Sequence, residues 1–209
     1  MIDKDRAHGA RQADEMIEAF LASRPDVFRR VTLRPLASDD QGEFLDLVSA
    51  SEDLHRPWMS LPSTPQQFEA YVARYEKPDE ESWLVCVRST GVIAGMVNIN
   101  SIIRGRLQSG ALAYAAFAPT AGQGYMTEGL DLVVRYAFEQ LRLHRLEAQI
   151  QPDNHASIRL IRRVGFRHEG DSPEFLFIDG AWRDHERWAI TNTMIDIRPT
   201  APHPTLPER

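Results

Sequence analysis

The stretch AGQGYMTEGL (residues 121–130) restricts the possible folds more than any other part of the chain. Gly122 and Gly124 stand one residue apart. Before them runs the apolar segment ALAYAAFA (111–118); after them Leu130, Val133, Val134, Ala137, Phe138 and Leu141 recur at helical spacing. The order is therefore strand, tight turn, helix, with the helix expected from about Thr127 to Leu141. The first amides of such a helix have no internal partner, and its N-terminus carries positive partial charge. Glycine lets a bound group come close to that backbone, and a phosphate or pyrophosphate suits the place. A Walker loop needs Gly-Lys-Ser/Thr, which is absent, and a dinucleotide fingerprint needs a glycine where Thr127 stands. The remaining common solution is the pyrophosphate of coenzyme A. By itself the turn is also compatible with a plain loop-to-helix connection.

The rest of the pattern is α+β. VTLRPL alternates Val31, Leu33 and Leu36 as a first strand, and Ser38 with Gln41 has capping-box spacing ahead of a helix that buries Phe44, Leu45 and Val48. A loop with Pro57, Pro62 and Pro65 leads to a helix near 65–76. SWLVCVRSTGVIAGMVNINSII reads as two strands joined at Thr90-Gly91. Leu146, Ala148 and Ile150 alternate with Arg145, Glu147, Gln149 and Gln151, a strand followed by a helix at about 154–164 and a hairpin turning at Asp179-Gly180. An antiparallel meander that feeds helix, strand and helix implies a central mixed, mostly antiparallel, twisted sheet flanked by helices.

Residues 1–28 form an expected helical extension, with Ala13, Met16, Ile17, Phe20 and Leu21 on one face up to Arg24-Pro25. That face must be covered, by its own domain or by a second copy, so a homodimer is an expectation. The domain proper is read as 29–197, and the proline-rich 198–209 as a disordered tail. A net charge of −6 weighs against nucleic acid as a partner. No apolar run approaches the roughly 18 residues that span a bilayer, and the N-terminus is too polar for a signal peptide, so a cytoplasmic protein is expected. Cys86 is the single cysteine, read as a buried strand thiol, and the seven histidines show no metal spacing.

AGQGYMTEG followed, about thirty residues later, by HRLEAQIQPDNHASIRLIRRVGF resembles the GNAT superfamily of acetyl-CoA-dependent N-acetyltransferases. Within it, GMVNINSIIRG, YAAFAPTAGQGYMTEGL and FLFIDGAWRDH are similar to the RimJ/RimL-type ribosomal-protein alanine N-acetyltransferases. The resemblance covers about residues 30–195 and implies the GNAT fold, with acetyl-CoA as co-substrate, no metal, and an amine as acceptor. It departs from the superfamily pattern at Ala121, usually Gln or Arg, and at Ile161, where a tyrosine acid often stands.

The implied coenzyme contacts are Ala116, Phe117 and Ala118 along the pantetheine arm, and Gly122, Gln123, Gly124, Tyr125, Met126 and Thr127 at the pyrophosphate. Asn154 and Ser157 complete the set, with Ser157 as proton donor to the leaving thiolate. A helix-capping role is the structural alternative for Ser157. Glu147 is the expected general base, acting through water; the alternative is a solvated carboxylate paired with Arg145. His55, Trp58, Met59 and Tyr114 are expected to wall the acceptor site. Asp184 and His185 are neighbours on a strand, so their side chains point to opposite faces and a structural use is expected. The leading expectation is acetylation of a protein N-terminal α-amine. Acetylation of a small amine such as an antibiotic or polyamine, and a coenzyme-A-binding module without turnover, remain open.

Overall fold

The computed structural model describes residues 30–196 and, ahead of them, helical residues 17 and 19–22. Ala13, Met16, the Arg24-Pro25 stop and the tail from 198 lie outside the described residues. In chain order the elements are β1 (Val31–Pro35), α1 (Gln41–Ala50), α2 (Glu52–His55), α3 (Pro65–Arg74), β2 (Glu81–Val87), β3 (Ile93–Ile103), β4 (Ser109–Ala116), α4 (Tyr125–Glu139), β5 (Arg145–Ile150), α5 (His155–Val164), β6 (Arg167–Ile178) and β7 (Ala181–Thr191). Seven strands make one sheet in the order β1-β2-β3-β4-β5-β7-β6. Only the β4–β5 pair is parallel. The mixed, mostly antiparallel sheet of the sequence reading is present.

One face of the sheet packs against α4 and α5 through Leu130, Val133, Ala137, Ile158 and Ile161. Ile17 and Phe20 are buried in that same core, and the Phe20 ring meets Tyr136 edge-on at 5.6 Å. The described part of the N-terminal apolar face is thus covered within the chain, which removes it as a reason for a second copy. The other face packs against α1 and α3 through Phe44, Phe68 and Phe117, with Cys86 buried among them. Contact between α4 and the sheet is close. A Cβ at Gly129 would lie 2.5 Å from a Val85 methyl, so only glycine fits there.

Two local readings change. Neither Ser38 nor Gln41 caps α1. Asp40 reaches back instead, accepting from the Ala37 N–H at 2.8 Å and from both terminal nitrogens of Arg34. Meanwhile α4 starts at Tyr125, directly on Gly124, whose φ of +86° ends the turn in the left-handed region.

The feature that positions the site is a divergence. β4 pairs with β5 only from Ser109 to Leu112, against Arg145 to Ala148. Beyond that point β5 continues with β7 as far as Ile150↔Glu186, and β4 continues with β3 as far as Ala116↔Gly95. A wedge therefore opens between β4 and β5, closed at its end by the glycine turn and the start of α5.

Candidate active site

At the glycine turn Gly122 (φ +77°) and Gly124 (φ +86°) bend the chain. The backbone N–H groups of Gly122, Gln123, Gly124, Tyr125 and Met126 meet no acceptor among the described residues; the next one along, Thr127, donates to the Gly124 carbonyl at 3.1 Å. Five successive unpaired amides at a helix N-terminus fit a pyrophosphate. The turn is pinned from outside by Arg30, which donates to the Gln123 carbonyl at 3.0 Å and to the Glu128 carboxylate at 2.7 Å while lying over the Tyr125 ring at 4.7 Å.

Along the wedge, strand alternation decides which backbone groups are free. The Phe117 N–H donates to the Ala94 carbonyl at 2.9 Å, so Phe117 and Ala115 face β3 while Ala116 and Tyr114 face the wedge. The Ala116 carbonyl confirms this orientation by accepting from His55 Nε2 at 2.9 Å. The Ala118 N–H is also taken, by Ser51 Oγ at 2.9 Å. Of the three expected arm contacts, then, Ala116 presents its backbone to the wedge, whereas the amides of Phe117 and Ala118 are used inside the chain. Phe117 is fully buried in the core against α1.

A cavity of about 460 Å³ fills the wedge and reaches the turn. It is bordered by His55, Trp58, Met59, Tyr114, Ala116, Gly122, Gly124, Tyr125, Met126, Thr127, Asn154 and Ser157, and by Arg159 and Arg163. Gln123 is not on that border; its side chain turns back toward the Pro119 carbonyl. A second cavity, of about 340 Å³, approaches from the opposite face of the sheet, over Ala111, Ala113, Gln149, Gln151 and His185. The two share Trp58, Met59, Tyr114, Asn154 and Ser157.

At this meeting point the Tyr114 hydroxyl and Ser157 Oγ are 2.7 Å apart. Burial pushes the tyrosine well above its usual range, against the pull of the Ser157 hydrogen bond, so Tyr114 keeps its proton at working pH. Ser157 does not cap α5. Asn154 does, its Oδ1 accepting from the Ser157 N–H at 3.1 Å. The serine hydroxyl is left for other work, and Asn154 both caps the helix and borders both cavities.

Glu147 stands apart from this centre. Arg145 Nε donates to it at 2.6 Å, and Arg145 also pairs with Glu169. Glu147 borders neither cavity. Its sequence spacing put it on the same strand face as Gln149 and Gln151, which is correct, but it lies toward the start of β5, opposite Ala111, where the strands are still paired. Arg30, Ser51, Arg159, Arg163 and His185 were not read as site residues. The i, i+4 spacing of Arg159 and Arg163 on one helix face was a usable signal; Arg30 and Ser51 act through long-range contacts with none.

Residues 30–167 match the family model of the acetyltransferase (GNAT) domain. The chain is 33% identical over 172 residues to the probable N-acetyltransferase YjcK of Bacillus subtilis, spanning 78% of this chain and 95% of that one. It is 36% identical over 99 residues to the [ribosomal protein uS5]-alanine N-acetyltransferase of Escherichia coli, covering 47% of this chain and about half (51%) of that enzyme. The spermidine N(1)-acetyltransferase of Escherichia coli matches at 27% over 77% of this chain and 85% of its own length. Among solved structures, Mycobacterium smegmatis RimJ in complex with CoA-disulfide superposes with a TM-score of 0.72 at 26% identity, covering 78% of this chain and 82% of that one. A wedge between β4 and β5 ending in five unpaired amides, together with these matches, shows that the chain belongs to the GNAT family of N-acetyltransferases.

Proposed function

We propose that the chain transfers acetyl from acetyl-CoA to the α-amino group of a peptide or protein N-terminus that begins with a small residue such as Ala or Ser. The observation that carries this reading is the lining of the second cavity. Among the described residues that border it there is no Asp, Glu, Lys or Arg. A polyamine brings several ammonium groups, and burying them without carboxylates is costly. An α-amine brings one, with an unperturbed pKa of about 7.7–8.0 against about 10.4 for lysine. At pH 7 about a tenth of the α-amine is already neutral, against about 0.04% of lysine, by the same values. With no carboxylate on that border among the described residues, that difference of a few hundred-fold favours the α-amine. The uS5-alanine relative supports the same acceptor, whereas the spermidine relative supports a polyamine.

In this reading the amine nitrogen attacks the thioester carbonyl carbon. The C–N bond forms as the C–S bond breaks, one proton leaves the amine and one reaches the sulfur. Tyr114 donates to Ser157 Oγ, and the Ser157 hydroxyl protonates the thiolate. Ala116 and the amides from Gly122 to Met126 hold the arm and pyrophosphate, and Arg159 and Arg163 add positive charge along the first cavity. Trp58 and Met59 wall both sides of the meeting point, while His55 positions Ala116. The test is mass spectrometry of products formed from acetyl-CoA with Ala- and Ser-starting peptides containing an internal lysine, and separately with spermidine. Acetyl on the N-terminus, at a rate rising through the α-amine pKa, is the expected result. Acetyl chiefly on lysine, or only on spermidine, rejects it.

A further inference from the structure

We infer that His185 receives the acceptor amine in the second cavity and takes its proton. The inference rests on that cavity being the acceptor's side of the site; it does not depend on which amine enters.

His185 is 2% exposed, on β7, and borders the second cavity. Its Nδ1 lies 2.9 Å from the Arg183 carbonyl. A carbonyl can only accept, so Nδ1 carries the proton and a neutral ring presents a bare lone pair at Nε2. Nε2 has no partner among the described residues, yet it is not among the buried polar atoms sealed from solvent. His185 borders the second cavity, which is where an unpartnered Nε2 can receive a donor. The Phe175 ring stands edge-on to the imidazole at 5.9 Å and fixes its tilt.

Register places the ring at the right level. Ile150 pairs with Glu186, so His185 is level with Gln151. Leu112 pairs with Ala148, so Tyr114 two residues on is level with Ile150. Gln149 pairs with Arg187, two residues from His185, so His185 shares the sheet face of Gln149 and Gln151. Tyr114 thus stands on the β4 wall of the wedge and His185 on β7, one strand beyond the β5 wall, within one residue in height and, with Ser157, on the border of one cavity. An amine entering over Gln149 and Gln151 passes Nε2 before it reaches the thioester. As the C–N bond forms and the C–S bond breaks, the N–H proton passes to Nε2, giving an imidazolium whose Nδ1–H stays on the Arg183 carbonyl; the sulfur takes the Ser157 hydroxyl proton, and solvent water returns the Nε2 proton to Ser157 Oγ, so that both side chains regain their starting states.

His185→Asn separates this role from a structural one, because its amide can keep the bond to the Arg183 carbonyl but puts nothing at Nε2. Expected is a fall of about 100-fold or more in kcat/KM for whichever amine the wild-type enzyme uses, with the affinity for coenzyme A measured by calorimetry within twofold and the melting temperature held. In His185→Ala, added imidazole is expected to restore at least tenfold of the lost turnover. Retention of kcat/KM within threefold in the Asn variant, or loss in both variants with no response to imidazole, overturns the proposal. The Proposed function fails separately, if the amine that wild type acetylates is spermidine; His185 is then tested with spermidine.

Discussion

Replacing Ser157 by alanine separates catalysis from stability more sharply than any other change at the site. The serine is not the cap of α5, so the helix keeps its N-terminus, held by Asn154. What is lost is the 2.7 Å contact with the Tyr114 hydroxyl. One such hydrogen bond is worth about 1 kcal/mol net, which for a chain of this size lowers the melting temperature by about 2–4 °C. If the serine hydroxyl delivers the proton to the departing thiolate, its removal lowers kcat by about 10² to 10⁴, or roughly 3–5 kcal/mol in barrier. The catalytic effect exceeds the stability effect severalfold. A matched control is Thr64→Ala, which removes the cap of α3; Thr64 Oγ1 accepts from the Gln67 N–H at 3.3 Å and borders neither cavity. It should cost about the same 1 kcal/mol and leave turnover unchanged. Tyr114→Phe should fall between the two. The double variant should be no worse than Ser157→Ala alone, because the tyrosine acts through the serine. The assay is thiol release from acetyl-CoA with an Ala-starting peptide, run beside thermal melts. A Ser157→Ala enzyme within threefold of wild-type kcat, or additive losses in the double variant, would refute the assignment.

Two further outcomes follow from the backbone and from the half-buried Glu81 carboxyl. Gly124→Val forces a branched side chain onto a φ of +86° and brings its Cβ to 3.0 Å from an Arg30 nitrogen; coenzyme A affinity should fall at least about 100-fold while the fold persists, and calorimetry showing unchanged affinity in a folded variant excludes the turn as the pyrophosphate site. Burial pushes the Glu81 carboxyl from 4.5 to about 7, against the opposing pull of Arg104. The folded chain holds that proton more tightly than the unfolded one, so the carboxyl's stabilising contribution is full below pH 4.5 and lost as pH rises to about 7. That interval corresponds to about 3 kcal/mol. Glu81→Gln is expected to raise the melting temperature at pH 8 by about 6–12 °C and to change it little at pH 4.5; equal shifts at the two pH values count against it.

What the sequence made legible was local. Leu146, Ala148 and Ile150 are buried in alternation as read, and Asp179-Gly180 turns the last hairpin with φ values of +50° and +76°. The glycine turn is visible because conformational need and residue type coincide at single positions, whereas α4 starts two residues earlier than its apolar spacing implies. The unread parts depend on residues far apart in sequence. Arg30 meets Glu128 across 98 positions, and nothing near either residue announces the other. Asp40 displaced the Ser38–Gln41 cap because Arg34 and the Ala37 amide both reach it. The strand face of Glu147 is legible in the alternation of β5, but its level along the strand is not, since the point where β4 leaves β5 is set by the whole sheet. His185 is not legible as a site residue because its sequence neighbour Asp184 points to the opposite face and the neighbour that matters is an open cavity.

The two cavities meet at Tyr114 and Ser157 from opposite faces of the sheet, and this has a kinetic consequence. Under the proposed assignment neither substrate needs to leave before the other arrives, so both are expected to occupy the protein at the moment of transfer, with no acetyl resting on a side chain. Cys86, the thiol that could have carried it, is buried in the core between the sheet and α1 and borders neither cavity. Steady-state rates measured at several fixed acceptor concentrations should therefore give intersecting lines in double-reciprocal form, not the parallel set of a ping-pong cycle.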